Sequence, residues 1–214
     1  MPGVVEGYLF AAQSAVTLLA QPAVAEQWEA PSALAEMTVG ALAAHLAGQV
    51  LSVRDVLVDR RLASSDHPVA LLEHYTRSAW VEAGLDDEAN LTIREGTASR
   101  AAAGHRQLLE SVQEALDDVA RLLAEEVEPR VVRMPWWGWS LTFEDFLVTR
   151  MMEITVHSDD LAVSLGQEPP ELPVSVLEPV LSLLLGVSVL RHGQAAVVRA
   201  LSRAERARGS IAAV

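Results

Sequence analysis

The chain has no cysteine among its 214 residues, so disulfides, thiolate metal sites and a cysteine nucleophile are excluded, and any thiol chemistry must use a thiol brought in from outside. Cationic residues are also scarce. Sixteen Lys and Arg stand against 29 Asp and Glu, and the net charge of -13 argues against binding to nucleic acid or to anionic lipid, both of which need a positive surface. The basic residues that exist gather at Arg199-Ala-Leu-Ser-Arg-Ala-Glu-Arg-Ala-Arg208, read as a solvated helical tail. Although 50% of residues are hydrophobic, no uninterrupted apolar run reaches the roughly 18 to 20 residues of a membrane span. Val180-Leu-Ser-Leu-Leu-Leu-Gly-Val-Ser-Val-Leu190 is read as a core helix. The start, Met-Pro-Gly-Val-Val-Glu, lacks the basic region of a secretion signal, which makes a cytoplasmic location the default expectation.

Regular strand patterning is missing as well. Apolar residues recur at spacings of three and four, and no segment alternates between hairpin turns, so the chain reads as nearly all helical. A first helix is expected over Val5 to Gln21, closed by Pro22, followed by a turn or loop at Pro31-Ser-Ala-Leu-Ala-Glu36. Thr38 offers an N-cap for a long helix to about Arg60, with Leu42, Leu46, Val50, Val53 and Leu57 along one side. An amphipathic segment is expected over 68–83, with interruptions at Gly84-Leu-Asp-Asp and Glu95-Gly96. Residues 97–126 read as one surface helix, apolar at Leu108, Leu109, Val112, Leu116, Val119 and Leu122. Pro129 to Ser140 reads as a loop. Thr142 can cap the next helix, with Asp145 in the capping-box position, and Gly166 ends it. A stiff connector, Gln-Glu-Pro-Pro-Glu-Leu-Pro173, leads to two C-terminal helices separated by His192-Gly193. Four long helices centred near 13, 49, 112 and 154 describe an all-α four-helix bundle over 1–166, with 167–214 as a helical extension packed on it.

Polar residues that interrupt apolar helices carry the chemistry. Glu153 and His157 stand four apart in Arg150-Met-Met-Glu-Ile-Thr-Val-His-Ser-Asp-Asp-Leu161, a spacing that puts a carboxylate and an imidazole on one helix face. His45 breaks Val39-Gly-Ala-Leu-Ala-Ala-His-Leu-Ala-Gly48 in the same way. If these helices pack side by side, His45, Glu153 and His157 form a three-ligand metal site with open positions. Burying a carboxylate and two imidazoles without partners costs several kcal/mol, and a shared cation removes that penalty. Asp160 projects from nearly the same face and either accepts a hydrogen bond from a ligand histidine or replaces Glu153. Arg150 either pairs with Glu153 or binds an anionic substrate. His74 is a reserve candidate for general base. Trp136, Trp137 and Trp139 of Met134-Pro-Trp-Trp-Gly-Trp139 either wall a ligand pocket or pack their loop onto the bundle. Asp159 and the remaining histidines, His67, His105 and His192, read as solvated or structural.

At these residues the sequence resembles the DinB superfamily, in its mycothiol-dependent maleylpyruvate isomerase-like branch. Met37-Thr-Val-Gly-Ala-Leu-Ala-Ala-His-Leu-Ala47 is similar to that family's first-ligand helix. Thr149-Arg-Met-Met-Glu-Ile-Thr-Val-His-Ser-Asp-Asp-Leu-Ala162 is similar to its Glu-x-x-x-His and Asp-Leu-Ala, and Leu190-Arg-His-Gly-Gln-Ala-Ala-Val-Val-Arg-Ala-Leu-Ser-Arg203 to the tail of many members. The resemblance implies a bundle binding a divalent metal, usually zinc, through His45, Glu153 and His157. It further implies a low-molecular-weight thiol such as mycothiol as cosubstrate, in isomerisation or transfer on an electrophilic small molecule. Asp159 stands where the family carries an aromatic residue, and the C-terminal part is shorter than the isomerase's; both argue against maleylpyruvate itself. Two rival expectations are a non-catalytic small-molecule binder with a structural metal, and a metal-free helical scaffold or homodimer.

Overall fold

The computed structural model describes residues 2–78, 88–125, 130–135, 137–207 and 209–213. Helices dominate: α1 (Pro2–Leu19), α2 (Pro22–Glu26), α3 (Val39–Val58), α4 (Leu71–Arg77), α5 (Glu88–Ala101), α6 (His105–Ala124), α7 (Phe143–Leu165), α8 (Val174–His192) and α9 (Gln194–Ser202). The chain is an all-α bundle in which α1, α3, α6 and α7 pack around one core. Leu42, Leu46 and Val50 of α3 meet Phe146, Leu147, Met151 and Ile154 of α7 there, all sealed from solvent. Burial of this kind, at roughly 1.5 to 3 kcal/mol for each large apolar side chain, sets the alignment of α3 on α7 and so of the polar residues they carry.

Local signals place both helices. Thr38 caps α3 by accepting from the Ala41 amide, and Thr142 caps α7 by accepting from the Asp145 amide, each at about one turn's reach. Asp145 serves through its backbone N–H, the first half of a capping box. Gly166 closes α7 in the left-handed conformation, φ 66°. The start of α3 is pinned by backbone hydrogen bonds from Val39 to Ala30 and from Gly40 to Trp28, and by a bridge between Pro31 and Thr38. Gly40 has a steric reason to be glycine: a Cβ there would stand 2.5 Å from the Trp28 indole.

Three expectations are corrected. The helix expected over 97–126 is two helices, because α5 runs through Gly96 to Ala101 and the break falls at Gly104, whose φ of 85° favours glycine. Pro129 to Ser140 is not all loop: β2 (Val131–Val132) pairs antiparallel with both β1 (Ala63–Ser64) and β3 (Leu141–Thr142), in strands too short to leave a period in sequence. The amphipathic segment starting at Pro68 is helical only over α4 among the described residues; 79–83 and the expected break at Gly84 lie outside them.

C-terminal to the connector, α8 lies against α1, α4 and α7, and α9 against α8. Val176, Val180, Leu183 and Val187 join the common core, while Val174, Leu181 and Leu185 of α8 stay exposed. By length and composition α3 and α8 pass the test for a bilayer span, although polar residues interrupt both, as the sequence showed. In α3 that apolarity is spent on the bundle core, because a helix packed by neighbours on most sides needs few polar positions.

Candidate metal centre

His45 on α3 and Glu153 and His157 on α7 converge although the first two stand 108 positions apart in sequence. Glu153 Oε2 lies 3.5 Å from His45 Nε2 and 3.2 Å from His157 Nε2, and the three ligand atoms all fall within 4.8 Å of one another. Zinc bonds of about 2.0 to 2.1 Å at tetrahedral angles put neighbouring ligand atoms roughly 3.3 Å apart. The donor set therefore fits a small divalent cation. Two imidazole nitrogens and one carboxylate also fill only three of four positions, leaving one for an exogenous ligand.

The electrostatics describe a group poised around one missing charge. Burial alone pushes the His157 imidazole down, but its hydrogen bond to Asp160 and the Glu153 carboxylate outweigh that and lift it to about 9. Burial raises Glu153, yet the His157 and His45 hydrogen bonds hold its carboxyl well below the usual carboxylate range. His45 is lowered, chiefly by burial, with Glu153 opposing and His157 and Arg150 adding to the shift. One proton, on His157, thus stands between the three groups. A cation competes with that proton.

Asp160 Oδ2 accepts from His157 Nδ1 at 2.9 Å, so Nε2 is the nitrogen turned to Glu153. Of the two roles open in the sequence, this is the hydrogen-bonding one, and Asp160 is absent from the group whose ligand atoms converge. Arg150 forms no direct ion pair with Glu153, although it helps to hold that carboxyl low. Its Nη1 donates to Gln49 Oε1 at 2.7 Å, its Nε to Thr149 Oγ1 at 3.1 Å, and its guanidinium lies 5.3 Å from the Phe146 ring centroid.

Gln49 is the residue that sequence reasoning missed. Only 4% exposed, it donates to the His45 carbonyl at 3.0 Å and places the same amide nitrogen 3.4 Å from His45 Nε2, while its oxygen receives Arg150. The signal was available: an amide four residues after His45 in an otherwise apolar helix has the spacing of Glu153 and His157. His74 and the tryptophans lie on a second wall. His74 is buried and ringed by Tyr75, Trp137 and Trp139, with the Trp139 indole N–H donating to its Nδ1 at 3.0 Å. That bond occupies the lone pair a general base would use, so a neutral His74 carries its proton on Nε2. Trp137 also packs on Phe146, joining this wall to Arg150. Trp136 lies outside the described residues. His105 and His192 bond the Leu19 and Ala212 carbonyls and His67 is exposed, in keeping with their structural reading.

The profile of the mycothiol maleylpyruvate isomerase N-terminal domain family matches residues 9–162, well over half of the chain. The chain belongs to that family. The match runs from α1 into the last turns of α7 and so contains His45, Glu153 and His157, which ties the mycothiol maleylpyruvate isomerase N-terminal domain to the helices that carry the convergent ligands. No curated protein and no solved structure matches the chain.

Proposed function

We propose that this protein is a metal-dependent enzyme that joins a low-molecular-weight thiol, mycothiol in the family's own chemistry, to an electrophilic small molecule, in a transfer or isomerisation reaction. The observation that carries the reading is the spacing of His45 Nε2, Glu153 Oε2 and His157 Nε2, which suits a zinc ion with one position left open. A divalent ion held there supplies Lewis acidity and lowers the pKa of a thiol or water at the open position. The protein's residues do the rest. Asp160 fixes the His157 ring so that Nε2 faces inward, and Gln49 ties His45 to Arg150. Two neutral imidazoles and a single carboxylate leave the centre with a net positive charge that favours an anionic ligand such as a thiolate. Trp137 and Trp139 offer apolar surface around His74, and Trp137 carries it on to Phe146 under Arg150. A chain without cysteine cannot block its own metal with an internal thiolate. A cytoplasmic location, where small thiols are kept reduced, belongs to the same reading.

The test is metal content by mass spectrometry on protein purified without tag or chelator, for wild type, His45→Ala and Glu153→Ala, followed by turnover of thiols with model electrophiles. Near-stoichiometric metal lost in both variants, with thiol-dependent turnover lost in parallel, is the expected outcome. Wild-type protein that stays metal-free after reconstitution would overturn the reading; stoichiometric metal without turnover across a thiol panel would favour the non-catalytic binder.

A further inference from the structure

His74 is only 3% exposed, yet half of its hydrogen-bonding capacity is unused. With Nδ1 accepting from Trp139, the proton sits on Nε2, and that N–H meets no acceptor among the described residues. Among the described residues Ser158 Oγ is the side-chain polar atom fully closed off without a partner, and His74 Nε2 is not closed off in that way. Arg150 shows the complementary gap. Its guanidinium is half-buried and held by Gln49, Thr149 and the Phe146 face, but it forms no ion pair among the described residues. The Glu153 carboxylate lies within its electrostatic range but not in direct contact as an ion pair, so the guanidinium fork, which matches a carboxylate, is not filled by one.

The two gaps belong to one wall. Trp137 packs on the His74 ring at 4.7 Å between centroids and on Phe146 at 6.1 Å, and Phe146 carries Arg150. Arg150 reaches the metal ligands through Gln49, whose amide nitrogen is 3.4 Å from His45 Nε2. Neither Arg150 nor His74 Nε2 is consumed by holding the fold.

We propose that His74 and Arg150 form an oxyanion-receiving subsite beside the metal centre, so that the natural ligand carries a carboxylate that accepts from His74 Nε2–H and pairs with Arg150. Trp139 is then a positioning residue that fixes the His74 tautomer, and His74 is a donor to the ligand rather than a base. The subsite stands on these residues alone; that the carboxylate lies a few bonds from a metal-directed thiol rests on the proposed function.

The test compares 3-mercaptopropionate with 2-mercaptoethanol, which share the thiol and differ in the carboxylate, in titrations of cobalt-loaded protein followed by the thiolate charge-transfer band. Wild type is expected to prefer the carboxylate thiol by about tenfold or more, the worth of one charge-assisted contact. That ratio should fall towards one in Arg150→Gln and His74→Phe and be partly restored in Arg150→Lys, a recovery that loss of folding could not produce. Equal binding of the two thiols by wild type, or an unchanged ratio in Arg150→Gln, overturns the subsite. If cobalt does not bind, the metal reading fails separately. The subsite is then judged by NMR titration of metal-free protein with 3-mercaptopropionate, where a saturable shift of the Trp139 indole N–H, lost in Arg150→Gln, sustains it and its absence overturns it.

Discussion

Removing the Asp160 carboxylate while keeping its shape, as in Asp160→Asn, should change metal affinity in two opposed ways that pH separates. The carboxylate orients His157 through the 2.9 Å bond to Nδ1, and losing such a partner costs about 10- to 100-fold in metal affinity. The same bond is the largest of the effects that lift the His157 proton's pKa to about 9, and that proton must leave before a cation can bind. At pH 7 the competition amounts to about two pH units, or roughly 3 kcal/mol, in wild type. Without Asp160 the imidazole gives up its proton more readily, which returns part of the loss at neutral pH. Above pH 9 wild-type His157 is already neutral and only the orientation effect remains. The assay is competition for zinc against a chromophoric chelator between pH 6.5 and 9.5. Wild-type affinity should rise steeply with pH up to about 9 and then flatten, whereas the variant should rise less and fall furthest behind at the alkaline end. Calorimetry of wild type in buffers of different ionisation enthalpy should show close to one proton released on metal binding at pH 7. Parallel pH curves for wild type and variant would refute the reasoning, and a loss as deep as that of Glu153→Ala would make Asp160 a ligand.

Three further outcomes are expected. Gly40→Ala forces a Cβ to within 2.5 Å of the Trp28 indole and should destabilise the fold by about 1 to 3 kcal/mol in urea titration, with no effect if Trp28 can swing away. Thr142→Ala removes the cap of α7 and should lower stability by about 1 kcal/mol, read as a fall of about 2 to 4 °C in Tm, while Thr142→Ser keeps most of it. His74 is held at about 4, first by burial and then by Arg150, against 6.5 in the unfolded chain. The unfolded chain therefore takes up a proton that the fold refuses, and stability falls as pH drops from 6.5 towards 4, by at most roughly 3 kcal/mol. In His74→Phe the difference in urea midpoint between pH 7 and pH 4.5 should shrink; an unchanged difference would remove His74 from that account.

Much of this arrangement was legible because polar residues in apolar helices have few reasons to be there. His45, Glu153 and His157 stood out against Leu42, Leu46, Met151 and Ile154, and packing of those apolar neighbours carried the three together. Caps at Thr38 and Thr142 and the stop at Gly166 were readable for the same reason, since each acts within a single turn. What depended on tertiary context was not readable. Arg150 has Glu153 one turn away, but its hydrogen-bond partner Gln49 comes from α3, a pairing that only the packing of the two helices creates. Nothing local distinguishes Gly104 from Gly96, yet only Gly104 adopts a positive φ. The strand at Ala63–Ser64 exists only because β2 pairs with it from almost seventy residues further along the chain, which no window of sequence contains.

The separation of 108 positions between His45 and Glu153 has a consequence for how the chain comes apart. An ion gripping both α3 and α7 closes most of the bundle into a ring, and any unfolded form that retained it would forgo conformational freedom worth roughly 4 to 5 kcal/mol. Among the described residues His45 is the one convergent ligand not carried by α7, so parting of those two helices would strip the ion of a ligand. Exchange of the bound ion should therefore keep time with that opening, and a chelator should act as a clock for the slowest breathing of the bundle rather than as a simple competitor for its contents.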